Sequence, residues 1–204
     1  MMGSITPLGE RGRGRSWGRT VTAYLVGSAL GGMAAGAAAG ALGAALRRAA
    51  PAGVGLLWFA AAAALAAAVV DALFARAMLP GGRLPGPRRQ VNEEWLTRYR
   101  GWVYGAGFGV QLGFGVATIV TTAAIYALLV VAALSGSPQV GGLLGLTFGL
   151  ARGLPLLATW RVRSPDTLLR VDAGLRRWQP RAAGLATLAQ AALGVLLIGA
   201  AVSR

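Results

Sequence analysis

Five polar side chains interrupt the long apolar runs of this chain, and their types suit the binding of a charged solute inside a membrane. Arg152 follows a stretch of 51 uncharged residues, and Asp71 is the one acid that falls within a predicted membrane span. An arginine in lipid costs at least about 2.5–3.5 kcal/mol, so it is expected to find a partner, a ligand or water. Gln111, Gln190 and Thr118 could orient an anion or an anionic head group held by Arg152. The five residues predict a substrate or ion site in the cytoplasmic half of a helical bundle.

Two other interpretations of Arg152 stay open from the sequence. The residue could form a structural ion pair with Asp71, or its side chain could extend to the cytoplasmic surface. Pro155 follows three residues later and is predicted to kink its helix, because proline removes a backbone hydrogen bond and frees the carbonyl group of Ala151.

The composition predicts that the chain is embedded in a membrane. Of its 204 residues, 55% are hydrophobic and 13% are charged, whereas soluble domains carry about 25% charged residues. The net charge of +14 could indicate nucleic acid as a partner. The arginines, however, lie between apolar runs instead of on one soluble face, so membrane lipid is the expected partner and nucleic acid is not.

The residue types that are missing exclude several chemistries. The chain has no cysteine and no histidine, which rules out a disulfide or dithiol relay, histidine ligation of a metal or haem, and a Ser-His nucleophile pair within it. We therefore expect neither enzymatic activity nor a cofactor.

The apolar segments predict an all-α bundle with five spans. Residues 1–19 are expected to be a disordered basic arm, and residues 20–204 a single transmembrane bundle. The expected spans are 20–46, 52–76, 102–134, 138–160 and 182–203. A short helix over 165–179, ended by Pro180, is expected to lie in the membrane interface. The first apolar run has 27 residues, too many for the apolar core of about 7–15 residues in a cleaved signal.

The arginines also predict the orientation of the bundle. Sixteen of the twenty lie in the N-terminal arm and in the connections 76–100 and 161–181, and three lie on the opposite side. Because basic residues favour cytoplasmic loops, the N-terminus is expected in the cytoplasm and the C-terminus outside.

Three of the predicted spans carry glycine at every fourth position, which places the glycines of each span on one helix face. Such rows allow helix backbones to approach closely in lipid. They could serve static packing, or they could permit the sliding that alternating access requires. The rows are Gly32, Gly36 and Gly40; Gly105, Gly109 and Gly113; and Gly141, Gly145, Gly149 and Gly153.

The stretch from Trp102 to Pro155 combines a Gly-rich helix, a Thr-containing middle and a later Gly-Leu-Pro. It resembles the small polytopic membrane proteins related to the cytochrome c biogenesis transmembrane protein, the CcdA-like group within the wider lysine-exporter-like superfamily. The resemblance implies a compact bundle suited to moving something small, with six spans in two inverted halves where we count five. Members that move electrons use paired membrane cysteines, so their thiol-disulfide transfer does not carry over to this chain.

Two functions are compatible with these observations. The first is a small transporter-like protein that moves a solute or ion. The second is a non-catalytic membrane anchor or assembly subunit of a larger complex. Either would be a multi-pass protein of the cell membrane, with other membrane subunits or further copies of itself as possible protein partners.

Overall fold

A computed structural model describes residues 5–49, 55–75, 94–115 and 123–203, and every regular element in these ranges is helical. The predicted all-α transmembrane bundle is thereby confirmed. The described residues form four helices long and apolar enough to cross a membrane: α2 (Trp17–Ala49), α3 (Gly55–Ala75), α7 (Pro138–Gly153) continued by a 3-10 segment (Leu154–Arg161), and α8 (Pro165–Val202). The shorter helices are α1 (Pro7–Gly12), α4 (Trp95–Arg98), α5 (Gly101–Phe114) and α6 (Ala124–Ser135).

Helix α2 packs against α7 through glycine on both helices. A Cβ atom added at Gly32 would overlap the carbonyl oxygen of Gly145, and one added at Gly36 would overlap that of Gly141. Positions that rise along α2 meet positions that fall along α7, so the two helices are antiparallel. The backbones approach so closely that only hydrogen atoms fit between them, which is the packing that the glycine rows allow.

A second face of α2 packs against α5, which runs parallel to it. Cβ atoms at Gly105, Gly109 and Gly113 would overlap the carbonyl oxygens of Thr20, Tyr24 and Ser28, respectively. The buried Ser28 hydroxyl donates to the Gly149 carbonyl of α7 at 2.6 Å. One turn of α2 therefore touches both neighbouring helices.

The predicted span 102–134 is wrong as a single helix. Helix α5 ends at Phe114, where Gly115 adopts a φ of +74°, and α6 begins at Ala124. A Cβ atom at Gly115 would lie 2.5 Å from Cδ1 of Ile125, and one at Gly43 of α2 would overlap the carbonyl oxygen of Ala133. Helix α6 therefore starts near the end of α5 and continues along α2 in the same direction. Together α5 and α6 are one discontinuous span.

The predicted interfacial helix 165–179 and the predicted span 182–203 are also wrong as separate elements. Helix α8 is continuous over both, with Ser164 as its N-terminal cap and Pro180 in its interior. Membrane helices tolerate an internal proline when neighbouring groups satisfy the backbone that it frees. Pro155 acts differently, because α7 stops at Gly153 and the chain continues as the 3-10 segment with Pro155 at its second residue.

The N-terminal arm is ordered over its described part, so the predicted disorder is wrong for residues 5–19. Thr6 caps α1 by accepting the amide hydrogen of Gly9 at 3.0 Å, and Pro7 opens the helix. The Ile5 side chain is fully buried in a cluster with Tyr24, Tyr104 and Phe108 among others. The arm is held between α2, α5 and the 3-10 segment.

The buried carboxylate of Glu10 fixes this arm to the bundle. The Thr20 hydroxyl donates to Glu10 Oε2 at 2.8 Å, Arg13 Nη2 donates to Oε1 at 2.7 Å, and the Tyr104 hydroxyl also donates to Oε1. A carboxylate that accepts several hydrogen bonds, one of them from a cation, can be buried at a tolerable cost. The arm thus docks through one acid and the donors that surround it.

Replacing Gly145 with alanine should destabilise the protein, because the new methyl group would overlap the backbone of α2. Gly142→Ala is the matched control in the same helix, since its Cβ would meet only ordinary neighbours, the nearest at 3.5 Å. Alanine favours a helix over glycine by about 1 kcal/mol, so Gly142→Ala should be neutral or stabilising. Thermal unfolding in detergent measures both variants. Equal melting temperatures would contradict the packing described here.

Replacing Glu10 with alanine should release the N-terminal arm, because the Thr20 and Tyr104 hydroxyls lose their shared acceptor. Trypsin cleavage after Arg11, Arg13 or Arg15 should become several-fold faster, and Leu8→Ala in the same short helix should cleave like the natural protein, since Leu8 is exposed. Cleavage of Glu10→Ala at the natural rate would show that Glu10 does not hold the arm.

Candidate functional site

The break between α5 and α6 lies beside the middle of α2, and three of the predicted polar site residues lie next to it. Gly113, near the end of α5, faces Ser28, whereas Ala133, near the end of α6, faces Gly43. These two α2 positions are separated by roughly 22 Å at 1.5 Å per residue, and the break falls between them. The ends of both half-helices therefore lie inside the bundle, where their backbone groups need partners.

Asp71 of α3 accepts hydrogen bonds at the start of α6. The amide hydrogen of Ala123 bonds to Asp71 Oδ1 at 2.7 Å, and Gln190 Nε2 of α8 donates to Oδ2 at 2.9 Å. Asp71 and Gln190 are both buried. The N-terminal end of a helix carries a partial positive charge, so a carboxylate there is favoured by electrostatics as well as by its hydrogen bonds. Asp71 thereby connects α3, α6 and α8 at one point.

Arg152 of α7 lies at the end of α5, where the helix dipole has its negative end. Its Nη1 atom lies 3.5 Å from the position that a Cβ atom on Gly115 would occupy. The guanidinium also lies 5.6 Å from the ring centroid of Phe148. Phe148 is one turn earlier in α7, so the Arg152 side chain points away from the predicted cytoplasmic end of the helix.

The two charges are therefore separated by the break and do not pair. The sequence left open an ion pair between Asp71 and Arg152, and the structure contains none between these two residues. Each charge instead lies at the half-helix end of opposite sign. This arrangement compensates both ends of the discontinuous span.

Of the other predicted site residues, one bonds to this centre, one does not, and one lies outside the described residues. Gln190 belongs to it through Asp71, and no donor among the described residues reaches its second amide atom, the buried Oε1. Gln111 is partly buried in α5, one turn before Gly115, and no hydrogen bond joins it to Arg152, Asp71 or Gln190. Thr118 lies outside the described residues. Within the described ranges, no group of three histidine, cysteine, aspartate or glutamate residues could hold a metal ion.

Sequence reasoning missed two contributors to this centre. One is the backbone amide of Ala123, which becomes a donor only because the span is interrupted before it. The other is Gly115, whose positive φ ends α5. The length of the predicted span, 33 residues where about 20 cross a bilayer, and the glycines at 113 and 115 are signals that could have located the interruption.

The fold and this centre define a multi-pass helical membrane protein with one discontinuous span and a polar centre at the discontinuity. The chain belongs to the family described as cytochrome C biogenesis protein transmembrane region, whose model matches residues 1–200. The resemblance stated from the sequence is thereby confirmed.

Two curated relatives are proteins named methylamine utilization protein MauF. The one from Methylophilus methylotrophus is 32% identical over 121 residues, which are 57% of this chain and 41% of the relative. The one from Paracoccus versutus is 32% identical over 118 residues, which are 57% of this chain and 42% of the relative. The matched part of the chain thus spans about two-fifths of these relatives. No solved structure matches the chain.

Replacing Asp71 with leucine should destabilise the protein strongly. The change leaves the Ala123 amide and the Gln190 side chain without their acceptor, and a buried unsatisfied donor costs about 1–3 kcal/mol. Asp172→Leu is the control, because Asp172 is exposed and pairs only with Arg176 of its own helix. Unfolding of both variants in detergent gives the comparison, and a melting temperature of Asp71→Leu equal to that of Asp172→Leu would remove the role assigned to Asp71.

Proposed function

We propose that this protein is a small transporter-like membrane protein that moves a small anionic solute or ion. Its site is the polar centre at the break between α5 and α6, in the cytoplasmic half of the bundle, with Arg152 as the residue that attracts the anion. The observation that carries the proposal is the discontinuous span itself, with a cation at the end of one half-helix and an acid at the start of the other.

The physical argument concerns the backbone. In lipid every peptide group needs a partner, so an interrupted helix is tolerated only where it is buried in protein or lines a wet cavity. Interrupted helices with exposed half-helix ends are a recurrent way to bind substrates and ions near the middle of a membrane. The close glycine contacts of α2 with α5 and α7 add smooth faces along which helices could shift.

The family membership supports a membrane role but leaves its chemistry open. This chain has no cysteine, so thiol chemistry within it has no residue to use. The arginine distribution supports a cytoplasmic N-terminus and a location in the cell membrane.

A second candidate is a non-catalytic membrane anchor or assembly subunit. The observation in its favour is that Asp71 and Arg152 each lie at a half-helix end, where a charge can stabilise the fold without any ligand. The similarity to methylamine utilization proteins also supports work alongside other proteins. In this role the polar centre would serve only the stability of the bundle.

Arg152→Leu distinguishes the two functions. The natural protein in liposomes should give saturable uptake of at least one of chloride, phosphate, acetate and sulfate, measured as charge movement or radioisotope flux. Arg152→Leu should abolish this uptake, because the anion loses its counter-charge. Arg177→Leu, which changes an exposed arginine of α8, should retain it.

The controls are the amount and the thermal unfolding of each variant in the liposome preparation. Absence of uptake of all four anions by the natural protein, together with other subunits that co-purify in constant proportion in mild detergent, would contradict transport and favour the anchor. Full uptake by a folded Arg152→Leu variant would remove Arg152 from the site.

A further inference from the structure

The guanidinium group of Arg152 carries several N–H donors and has no acceptor among the described residues. It lies 5.6 Å from the ring centroid of Phe148, and its Nη1 atom lies 3.5 Å from the position that a Cβ atom on Gly115 would occupy. No ion pair or hydrogen bond within the described residues involves it. Because a cation inside a membrane bundle needs acceptors, the described residues leave a place for a ligand or water at Arg152.

The register of the helices places Tyr24 of α2 beside Arg152. A Cβ atom added at Gly153, the next residue after Arg152, would lie 2.9 Å from Cδ2 of Leu25. Tyr24 also belongs to the same buried cluster as Leu156, which follows Arg152 by four residues. Among the described residues, Tyr24 is the titratable group that interacts electrostatically with Arg152.

The hydroxyl group of Tyr24 has no hydrogen-bond partner among the described residues, although the residue is only 6% exposed. A buried tyrosine hydroxyl usually finds a partner. Two groups that can donate, a phenol and a guanidinium, therefore lie near each other in the bundle without an acceptor. An anion would supply acceptors to both, and its charge would be compensated by Arg152.

We infer that Tyr24 and Arg152 together bind the carboxylate group of a small monocarboxylate. The guanidinium donates to the carboxylate oxygens, and the Tyr24 hydroxyl donates to one of them. This inference deepens the proposed function, on which it rests, because it names the class of anion and a second residue that binds it.

The charge and the donors of the site favour a carboxylate over other small anions. Among the described residues, Arg152 is the charged group that interacts electrostatically with Tyr24, so the site compensates one negative charge. Sulfate or doubly charged phosphate would keep a second charge uncompensated away from water, which is costly. The N–H groups of a guanidinium also form a planar fork that matches the two oxygens of a carboxylate, whereas chloride offers a single centre.

Glycine contacts hold the backbone around this site in place without a ligand. A Cβ atom at Gly109 of α5 would overlap the carbonyl oxygen of Tyr24, and one at Gly149 of α7 would overlap that of Ser28, one turn further along α2. The site therefore lies where α2 contacts both α5 and α7. A backbone that is already ordered lowers the cost of binding.

The test is 13C NMR of the full chain in lipid nanodiscs, labelled at the Cζ atom of tyrosine, because this resonance responds to hydrogen bonding of the hydroxyl group. The probe is sodium acetate, with sodium chloride and sodium sulfate titrated separately. Tyr24→Phe removes one signal and thereby assigns it, and the exposed Tyr99 is the control within the same spectrum. The tyrosines of the chain are Tyr24, Tyr99, Tyr104 and Tyr126.

We expect acetate to shift the Tyr24 signal saturably and to leave the Tyr99 signal unchanged, whereas chloride and sulfate should shift the Tyr24 signal far less at the same concentration. Arg152→Leu should abolish the shift. The acetate dissociation constant, taken from the rise of the melting temperature with acetate, should increase about tenfold or more in Tyr24→Phe and stay unchanged in Tyr99→Phe. If Arg152→Leu does not fold, the two tyrosine variants still give the result.

A Tyr24 signal that acetate leaves unchanged, or that chloride or sulfate shifts as much, would overturn the carboxylate site. Equal acetate affinities of Tyr24→Phe and Tyr99→Phe, or a shift that persists in a folded Arg152→Leu variant, would do so as well. Acetate binding as expected, in a protein that moves none of the four anions in liposomes, would keep the site and reject transport. Equal acetate uptake by the natural protein and by Tyr24→Phe would keep transport and remove Tyr24 from the site.

Discussion

A peptide group inside a membrane has no water to bond with, and the architecture of this protein follows from that constraint. The first amide hydrogens of α6 and the last carbonyl groups of α5 have no partners within their own helices. Asp71 meets the first and Arg152 lies at the second. The two charged residues of the membrane interior, which at first suggest a simple ion pair, are thus explained by the polarity of helix ends.

The central position of α2 makes this arrangement possible. Its glycines let α5 and α7 approach to backbone contact on two faces, and Ser28 adds a hydrogen bond to α7. In this conformation the contacts set the depth at which Gly115 and Arg152 meet. The packing of small residues, and not any long side chain, sets the geometry of the polar centre.

The sequence predicted what depends on composition and periodicity, and failed where a single tertiary contact decides. The apolar runs and the four-residue glycine spacing indicated a helical membrane bundle with close contacts between helix backbones. The end of α5 at Gly115 was not predicted, because a glycine within an apolar run usually belongs to a continuous helix. At Pro180 the error was the opposite one: the sequence predicted the end of a helix, whereas α8 continues through this residue. The order of the arm around Glu10 was not predicted because Tyr104, which bonds to Glu10, is distant in sequence.

The helices form two groups that meet mainly along one short element. Helix α2 packs with α5 and α7, α3 packs with α8, and α6 contacts members of both groups. Apart from a smaller contact between α8 and the 3-10 segment, α6 is therefore the main link between the two groups among the described residues. A relative movement of the two groups would act first on α6 and on the Asp71 carboxylate, which accepts the Ala123 amide hydrogen at its first turn.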